Sequence, residues 1–341
     1  MDKVKSLHIC HSLSYGGIST FAKSLVKLNT QGEAQHHILV WQKSKQADIE
    51  NVIDISGLNK KNNAFKNHIK NYSSIFVHSL KPFMISSLYR RRKDVYIFQH
   101  GITFGEGIKS YIKRLYYFFV INGFGFKVIC SSSFAEKKLL NKVMVFNKKQ
   151  IQIIPFGIEM IRSEALTETS DCLCIGFSGR LVEQKQVIRI FDALDLLPCD
   201  IKVKFYIAGS GPLLNELKIR SSNYDNNNIE IIFEGFIESM QNFYNKLDVL
   251  ILPSIGESYG LVVLEALSKN ISVIVFYDSG ACTDFIIHKK NGFIVKGVVE
   301  LSNLLCELKS VEKRIKLKTY IRGMNLNKFD IVNTKYYLDK L

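Results

Sequence analysis

The stretch CLCIGFSGRLVEQK, residues 172–185, decides the fold class of this chain. It begins with a short apolar run, which is typical of a buried strand, and the run ends at Gly179. Arg180 and Lys185 follow within the turn. Four further apolar runs lie downstream, each followed by a helical stretch: VKFYIAG, IEIIFEG, DVLILPS and ISVIVFY. Buried strands that alternate with helices predict a parallel, doubly wound α/β sheet.

The same alternation fills the first half of the chain. Its strand candidates are VKSLHIC, HHILVWQ, SSIFVHS, DVYIFQH and FKVICSS, and ISTFAKSLVKLN has the apolar spacing of a helix. The segment IIPFGIEM, residues 153–160, places Pro and Gly between the two patterns and is the predicted hinge. We expect two Rossmann-like domains, residues 1–157 and 158–325, that face each other across a cleft. A C-terminal helix at about 326–341 is expected to pack back on the first domain.

Composition limits the class of protein. The 341 residues suit two cores. The seven cysteines have no regular spacing, which favours the reduced thiols of a cytoplasmic protein. The N-terminus has too short an apolar stretch for a signal peptide, and no window approaches the ~20 apolar residues of a membrane span. We therefore expect a cytoplasmic protein that is soluble or peripherally associated with the inner membrane.

The net charge of +15 is confined to the first half of the chain. Residues 1–160 contain 24 Lys and Arg against 9 Asp and Glu, whereas residues 161–341 contain 22 of each kind. Such asymmetry favours an anionic partner for the first half, namely a membrane surface, a nucleic acid or a phosphorylated ligand. A basic surface that serves solubility is the alternative.

Two glycine turns follow strands of the second domain. In the first, Gly179 with Arg180 and Lys185 would form a cradle for phosphate oxygens, because Arg offers a planar fork and Lys a mobile point charge. A solvated basic loop is the alternative. The second turn, YIAGSGPL, departs from the dinucleotide fingerprint, and close backbone packing explains its glycines equally well.

The segment LPSIGESYGLVVLEAL carries two glutamates eight positions apart. A strand is expected to end at Pro253-Ser254, a loop to carry Glu257, and a helix to start near Ser258 to Gly260. The free N–H groups of that helix start suit a phosphate. Glu265 is the only charge in an apolar run, and burying it is costly unless its oxygens accept hydrogen bonds. Sugar and ribose hydroxyls would supply them.

At these residues the chain resembles the retaining glycosyltransferases of the GT-B fold, above all family 4, of the bacterial surface-polysaccharide type. GESYGLVVLE resembles the E-x7-E signature of that family, and GRLVEQK resembles its G-R-L-x-x-x-K. IIPFGIE resembles the hinge I-P-N-G-V-D, SYGGIST the N-terminal glycine loop, and DSGACTDFIIHKKNGFIV the G-G-x-x-E-x-I…G-x-L-V tail. The order and spacing agree over about residues 8–300.

The resemblance implies a role for each matching residue. Arg180 and Lys185 would bind the donor diphosphate, Glu257 would hold hydroxyls of the transferred sugar, and Glu265 would hold the ribose hydroxyls. The backbone near the donor would come from Gly16, Gly17, Gly179, Ser258, Tyr259, Gly260 and Leu261. His100, in FQHG at a strand end, would lie near the anomeric carbon; a packed or capping histidine is the alternative.

Four residues depart from the family pattern. Phe156 stands where the hinge usually has Asn, and Gln186 replaces the Gly that often follows the lysine. Asn270 replaces the Gly after the second glutamate's helix, and Asp284 stands where the family usually has Glu. None of them removes a charged catalytic residue.

The expected reaction needs no metal and no cofactor. The chain contains no Asp-x-Asp, the usual metal-binding carboxylate pair of the other major glycosyltransferase fold. Two cations and a helix start around the leaving diphosphate would stabilise its charge instead. The resemblance implies retention at the anomeric carbon, UDP-sugars as the commonest donors, and GDP-mannose next.

The acceptor is expected to bind the first half. Residues 108–127 mix basic residues with a dense aromatic block, and LYRRRKD lies upstream. That mixture suits a membrane interface with anionic lipid, and a core helix with a solvated basic face is the alternative. The membrane interpretation favours a lipid-linked sugar acceptor, as in O-antigen, capsule or lipopolysaccharide assembly.

Two other classes of protein stay open. A basic nucleic-acid-binding protein would agree with the charge of the first half, but no nucleic-acid-binding signature supports it, and we expect no nucleic-acid partner. A non-catalytic nucleotide-sugar binder, or another GT-B enzyme such as a phosphorylase or epimerase, would keep the fold. The presence of both cations and both glutamates argues against an inactive site.

Overall fold

The chain forms two compact units in a computed structural model. The structure describes residues 4–11, 13, 17–29, 34–42, 50–56, 61–78, 80–100, 107–160, 171–224, 228–237 and 240–341. The first unit comprises Met1–Glu159 and Lys328–Leu341, and the second comprises Met160–Asn327. Each unit is built on one parallel sheet, so the predicted fold class is confirmed.

The first unit has a seven-stranded parallel sheet of order β3-β2-β1-β4-β5-β6-β7. Its strands are β1 Val4–Cys10, β2 Ala34–Val40, β3 Val52–Asp54, β4 Ser74–Val77, β5 Val95–Gln99, β6 Lys127–Cys130 and β7 Ile151–Ile153. The helices of this unit are α1 Gly17–Lys27, α2 Lys61–His68, α3 Pro82–Leu88, α4 Ile108–Phe118, α5 Ser133–Leu140 and the C-terminal α12 Ile331–Asp339. The sheet is buried because its strands are apolar on both faces and helices cover them.

Helix α12 returns to the first unit and is held there by specific contacts. Gly157 passes so close to it that a Cβ at this position would lie 2.5 Å from the backbone of Asp330. The Gly157 N–H donates to Thr334 Oγ1 at 2.8 Å, and Lys335 Nζ donates to the Ala34 carbonyl at 2.9 Å. The expected C-terminal helix is therefore present in this part of the chain.

The second unit has a six-stranded parallel sheet of order β10-β9-β8-β11-β12-β13. Its strands are β8 Leu173–Ser178, β9 Val203–Ala208, β10 Ile229–Gly235, β11 Val249–Leu252, β12 Ser272–Phe276 and β13 Gly292–Val295. Its helices are α6 Ile188–Leu194, α7 Leu214–Ser221, α8 Met240–Tyr244, α9 Leu261–Ser268, α10 Val298–Leu308 and α11 Val311–Arg322.

All ten strand candidates of the sequence form strands, and the described part of the chain contains three further strands that the sequence did not predict. These are β3, β7 and β13, which are three or four residues long and partly exposed. Because they carry no long apolar run, their sequences do not differ from those of ordinary loops.

A buried ion cluster joins the amino ends of β8 and β11. Asp248 accepts hydrogen bonds from Arg314 Nη1 at 2.5 Å, from Lys318 Nζ at 2.9 Å and from the Cys174 N–H at 3.1 Å. Asp248, Arg314 and Lys318 are all buried. The cluster anchors α11 at the amino ends of these strands. Ligands are expected at the opposite, carboxyl ends.

Helix α4 carries an exposed apolar stripe, which comprises Ile108, Tyr111, Ile112, Leu115 and Phe119 in the turn that continues the helix. The exposed fractions of these side chains range from 44% to 80%, and Lys109 and Lys113 are exposed between them. Two neighbouring exposed side chains, Met144 and Phe146, extend the apolar surface, since Phe146 contacts Phe118 ring to ring at 5.5 Å. The helix also has an inner face, because Tyr116, Tyr117 and Phe118 pack against buried residues of the first unit, so each of the two interpretations describes one face of α4. No helix among the described residues is long and apolar enough to cross a bilayer.

Candidate active site

The second unit places its candidate residues where the order of its strands reverses. β8 and β11 are neighbours there, while β9 and β12 lie on opposite sides of them. In doubly wound sheets, ligands bind at the carboxyl ends of the strands beside such a switch point. Arg180 and Lys185 follow β8, and Glu257 follows β11. The topology thus puts the predicted cations and carboxylate on two adjacent strand ends.

The loop that carries Arg180 is fixed by the glycine turn after β9. A Cβ at Gly209 would lie 1.8 Å from the Gly179 carbonyl oxygen, and one at Gly211 would lie 2.3 Å from the Leu181 carbonyl oxygen. Gly179 itself has φ +155°, which few other residues adopt. The glycines of YIAGSGPL therefore serve close backbone packing, as one of the two sequence interpretations proposed.

Lys185 and Glu257 form an ion pair across the two loops. The Lys185 Nζ lies 2.5 Å from Glu257 Oε1, and the two side chains are only 17% and 15% exposed. Partial burial weakens solvent screening, so this pair is stronger than an ordinary surface pair. The Arg180 side chain, by contrast, is exposed and forms no ion pair among the residues that the structure describes. The structure thus brings two of the predicted site residues together and leaves the third open to a ligand.

The loop of Glu257 is held by the strand end of β12. The Gly256 N–H donates to the Asp278 carbonyl at 2.8 Å, and the Glu257 N–H donates to the Ser279 carbonyl at 3.0 Å. The Glu257 carbonyl in turn accepts from the Ala281 N–H at 2.9 Å. These bonds fix the backbone on which the carboxylate is mounted.

Arg189 is a positioning residue that the sequence interpretation missed. Its guanidinium binds both carboxylate oxygens of Asp278, at 2.9 and 2.8 Å, and donates to the Pro253 carbonyl at 3.3 Å. The Asp278 carboxylate also raises the pKa of Arg189. This bidentate pair ties the loop after β11 to the loop after β12. No local motif marks it, because the two partners lie 89 positions apart.

Helix α9 begins at the predicted place. Its N-cap is Gly260, with φ +85° and ψ +61°, and a Cβ there would lie 2.2 Å from Cys282 Sγ. Ser258 and Tyr259 are buried before it, and Leu261 is its first residue. Glycine is therefore required at the N-cap both by the backbone conformation and by the neighbouring thiol.

Glu265 lies in the second turn of α9 and finds a partner inside the protein. The Tyr244 hydroxyl donates to Glu265 Oε2 at 2.7 Å. Burial raises the pKa of Glu265, and the bond from Tyr244 acts in the opposite direction. Part of the hydrogen bonding expected from ribose hydroxyls is thus supplied by a tyrosine that the sequence interpretation did not identify.

Two of the predicted residues of the first unit are described by the structure: Gly17 follows β1, which borders the switch point between β1 and β4, and His100 follows β5. Gly17 is the first residue of α1 and is exposed, whereas Gly16 lies outside the described residues. His100 follows β5 and is packed against the rings of Phe98 and Phe156, at 5.4 and 5.1 Å. The packing interpretation of His100 therefore describes its surroundings, and its role near the anomeric carbon stays a prediction.

His100 also ends a chain of hydrogen-bonded side chains, which we name the histidine ladder: Asp339, His36, His8, His78 and His100. The successive contacts are Asp339 Oδ1 to His36 Nε2 at 2.7 Å, His36 Nδ1 to His8 Nε2 at 2.7 Å, His8 Nδ1 to His78 Nε2 at 2.9 Å, and His78 Nδ1 to His100 Nε2 at 2.6 Å. Burial lowers the pKa of all four imidazoles, and that of His100 to about 3. The rings are therefore neutral at physiological pH. No three His, Cys, Asp or Glu side chains among the described residues are arranged to hold a metal ion.

The second unit resembles a known family of proteins. Residues 162–322 match the family model described as glycosyl transferases group 1. The second unit is therefore similar to the group 1 glycosyltransferases. The match contains the loop after β8, the Lys185–Glu257 pair and the whole of α9.

Curated relatives extend the similarity into the first unit. An uncharacterized glycosyltransferase of Methanocaldococcus jannaschii is 24% identical over 296 residues, which cover 82% of this chain and 80% of the relative. An Escherichia coli enzyme, UDP-Gal:alpha-D-GlcNAc-diphosphoundecaprenol alpha-1,3-galactosyltransferase, is 23% identical over 293 residues, which cover 79% of this chain and 69% of that enzyme.

Solved structures share the fold over nearly the whole chain. Anabaena HepE in complex with UDP and glucose superimposes with a TM-score of 0.78 at 16% identity, over 99% of this chain and 98% of that one. WaaG, a glycosyltransferase involved in lipopolysaccharide biosynthesis, has a TM-score of 0.72 at 15% identity, over 98% and 99% of the two chains. The two parallel-sheet domains expected of GT-B glycosyltransferases are thereby confirmed.

Two of the four departures from the family pattern have a conformational explanation. Gln186 has φ +48° and Asn270 has φ +63°, so both occupy the left-handed region, which glycine adopts with the least steric cost. The backbone turn is thus retained although the glycine is not. Phe156 packs on His100, and Asp284 lies in the short helical turn Ala281–Phe285.

Proposed function

We propose that this chain is a retaining, metal-independent glycosyltransferase. It moves a sugar from a nucleoside-diphosphate donor, foremost a UDP-sugar, to a lipid-linked saccharide acceptor. The observation that carries the proposal is the contact of Lys185 with Glu257 at the carboxyl ends of β8 and β11. A cation suited to phosphate and a carboxylate suited to sugar hydroxyls there lie 2.5 Å apart.

The donor diphosphate would bind Arg180 and Lys185. The exposed Arg180 fork offers two parallel N–H donors, and Lys185 adds a second positive charge. An arriving diphosphate would compete with Glu257 for the Lys185 ammonium. Glu257 would then be free to accept hydrogen bonds from hydroxyls of the transferred sugar.

Bond exchange would take place at the anomeric carbon. The bond from that carbon to the diphosphate oxygen breaks, a bond to the acceptor oxygen forms on the same face, and the acceptor proton leaves on the departing phosphate. The barrier lies in the negative charge that builds on the leaving group. Arg180 and Lys185 supply preorganised positive charge there, so the reaction needs no divalent cation.

The nucleoside would be held at α9. Glu265 accepts one hydrogen bond from Tyr244, and a carboxylate has further lone pairs for the two ribose hydroxyls. Because burial makes the ionised carboxylate unfavourable, each hydroxyl that binds it relieves part of that penalty. This relief supports the choice of Glu265 as the ribose ligand.

The acceptor side is supported by the exposed stripe of α4. Apolar side chains that remain in water beside lysines match an interface with anionic lipid, where the apolar groups enter the acyl region and the ammonium groups remain at the phosphates. The E. coli relative bears the name of an enzyme that acts on a diphosphoundecaprenol-linked sugar. We therefore propose peripheral binding to the inner face of an anionic membrane, and an acceptor from O-antigen, capsule or lipopolysaccharide assembly.

A calorimetric binding screen tests the donor site. UDP-, GDP- and ADP-sugars are titrated into the wild-type chain, into Lys185→Met and into Lys204→Met. Lys204 is the matched control because it pairs with Glu230 at 3.0 Å on the exposed surface of the same unit. We expect UDP-sugars to bind the wild type and the control with similar affinity and Lys185→Met at least about tenfold more weakly. Binding by none of the sugars, or equal binding by all three chains, contradicts the proposal.

A further inference from the structure

The histidine ladder crosses the sheet of the first unit by a regular step. His8 lies opposite Ile38 on β2 and opposite Phe76 on β4. Its bonded partner His36 lies two residues before Ile38, and its other bonded partner, His78, lies two residues after Phe76. Side chains two positions apart on a strand share a face, so the rings meet diagonally across neighbouring strands. The register of β4 and β5 repeats the step, and the ladder therefore ends at the carboxyl edge of the sheet.

The inner end of the ladder determines its direction. Asp339 Oδ2 accepts from Lys335 Nζ at 2.7 Å, while Oδ1 contacts His36 Nε2. Burial raises the pKa of Asp339, but the bonds from His36 and Lys335 outweigh it and lower that pKa overall. Asp339 is therefore an ionised carboxylate, which can only accept. It follows that His36 donates through Nε2 and that its Nδ1 carries a lone pair.

The same assignment passes along every ring. A neutral imidazole has one N–H and one lone pair, so a ring that accepts at Nδ1 must donate at Nε2. His8 donates to His36, His78 donates to His8, and His100 donates to His78. Each of the four rings is thus the Nε2–H tautomer. The Nδ1 of His100 remains as a lone pair at the end of the chain.

We propose that Asp339 is a positioning residue that acts through the ladder. It fixes His100 as the Nε2–H tautomer, so that His100 Nδ1 accepts a hydrogen bond from a hydroxyl of the transferred sugar. The inference rests on the proposed function for the identity of that hydroxyl. It adds a residue of the C-terminal helix, 239 positions away in sequence, to the groups that determine how the sugar is held.

The surroundings of the ladder protect this direction. The rings of Phe21, Phe76 and Phe98 lie against its imidazoles, with ring centroids between 4.5 and 6.4 Å apart. His8, His36 and His78 are buried, so the bonds between these three rings are shielded from solvent. Reversal would require a proton on Asp339, which the ammonium of Lys335 opposes.

The variant Asp339→Asn is designed to reverse the ladder with little change of shape. Lys335 has only donors, so the amide oxygen would turn toward it and the amide NH2 toward His36. His36 would then accept at Nε2, and each ring in turn would become the Nδ1–H tautomer. His100 Nδ1 would change from an acceptor into a donor.

Two measurements test the proposal. Nitrogen-15 NMR of histidine-labelled protein without ligand identifies which ring nitrogens carry hydrogen. We expect an unprotonated Nδ1 and a protonated Nε2 at His100 in the wild type, and the opposite in Asp339→Asn. The second measurement compares the accepted donor sugar with its monofluoro-deoxy analogues, because fluorine cannot donate to a lone pair.

For the analogue that replaces the contacted hydroxyl, we expect kcat/KM of the wild type to fall roughly fivefold to tenfold. In Asp339→Asn that discrimination should largely disappear, because a donor at His100 tolerates fluorine. If Asp339 had a purely structural role, its replacement would lower kcat/KM for the donor sugar and for the fluoro-deoxy analogue by the same factor. The ratio of the two values would then be unchanged. Asp330→Ala is the matched control, since Asp330 caps α12 by accepting from the Val332 N–H at 2.9 Å but lies outside the ladder.

Each outcome decides a different point. A hydrogen on Nδ1 of His100 in the wild type overturns the ladder, and this spectrum is decisive even if the variant does not fold. Switched tautomers with an unchanged analogue ratio overturn the positioning role. Absence of sugar transfer from every donor overturns the proposed function and with it the sugar contact, whatever the tautomers are.

Discussion

Replacement of Lys185 by methionine is expected to disable the proposed donor site without unfolding the protein. Methionine keeps most of the apolar stem and removes the ammonium that contacts Glu257 at 2.5 Å. Two effects follow in the enzyme. The diphosphate loses one charged donor, and the Glu257 carboxylate is left unpaired where it repels the negative donor.

The magnitude follows from the burial of the pair. A hydrogen bond to a charged group contributes about 1.5–3 kcal/mol, which corresponds to roughly a 10- to 150-fold change in rate. Because the two side chains are only 17% and 15% exposed, little of this is lost to solvent screening. Repulsion between the unpaired Glu257 carboxylate and the negatively charged donor lowers the rate further. We therefore expect kcat/KM to fall by about a hundredfold or more.

Initial rates of sugar transfer measure the change, and thermal melting monitors the fold. Adding Glu257→Gln to Lys185→Met removes the repulsion, so the double variant should lose less activity than the product of the two single losses. Lys204→Met, which breaks the exposed pair with Glu230, should keep nearly full activity. A folded Lys185→Met protein whose kcat/KM falls less than about threefold would refute the reasoning.

Three further predictions address stability, the nucleoside and the membrane. Asp248→Asn leaves two buried cations with a neutral partner and should lower the free energy of unfolding by about 3–5 kcal/mol in urea titration; a loss below ~1 kcal/mol contradicts this. Glu265→Gln should weaken donor binding. Since burial raises the pKa of Glu265 in the folded state, wild-type stability should fall, relative to the variant, as pH rises from the ordinary glutamate pKa through the raised one; parallel melting curves at all pH values would contradict it. Leu115→Glu should reduce binding to anionic vesicles at least about tenfold, whereas Ile219→Glu, a change at an exposed residue of the other unit, should not.

The loops after β8 and β11 could be predicted from the sequence because their signals are local. A strand that ends in glycine, followed by two cations, and a loop that leads into an apolar helix each lie within about fifteen residues. The parallel topology then brings Lys185 and Glu257 together, because the two residues follow the carboxyl ends of the adjacent parallel strands β8 and β11. The same reasoning predicted a helix that starts near Ser258 to Gly260, and α9 begins at Leu261 after its N-cap Gly260.

The remaining features depend on pairings that the sequence alone does not reveal. The histidine ladder requires the register of four strands and the return of α12, and only its outermost member, His100, stands beside a recognisable turn. Arg189 and Asp278 pair at long range in the same way. The exposure of the stripe on α4 could not be decided from the sequence, because amphipathic spacing shows that a helix has an apolar face but not whether that face is covered.

The central claim is that the loops after β8 and β11 catalyse transfer from a nucleotide sugar. Its most direct test is the incorporation of radiolabelled sugar from a panel of UDP-, GDP- and ADP-sugars into a diphosphoundecaprenol-linked acceptor in anionic vesicles with EDTA present. We predict incorporation from one donor by the wild-type chain, with the anomeric configuration retained, and almost none by Lys185→Met. Incorporation from no donor, or equal incorporation by both chains, would contradict the account.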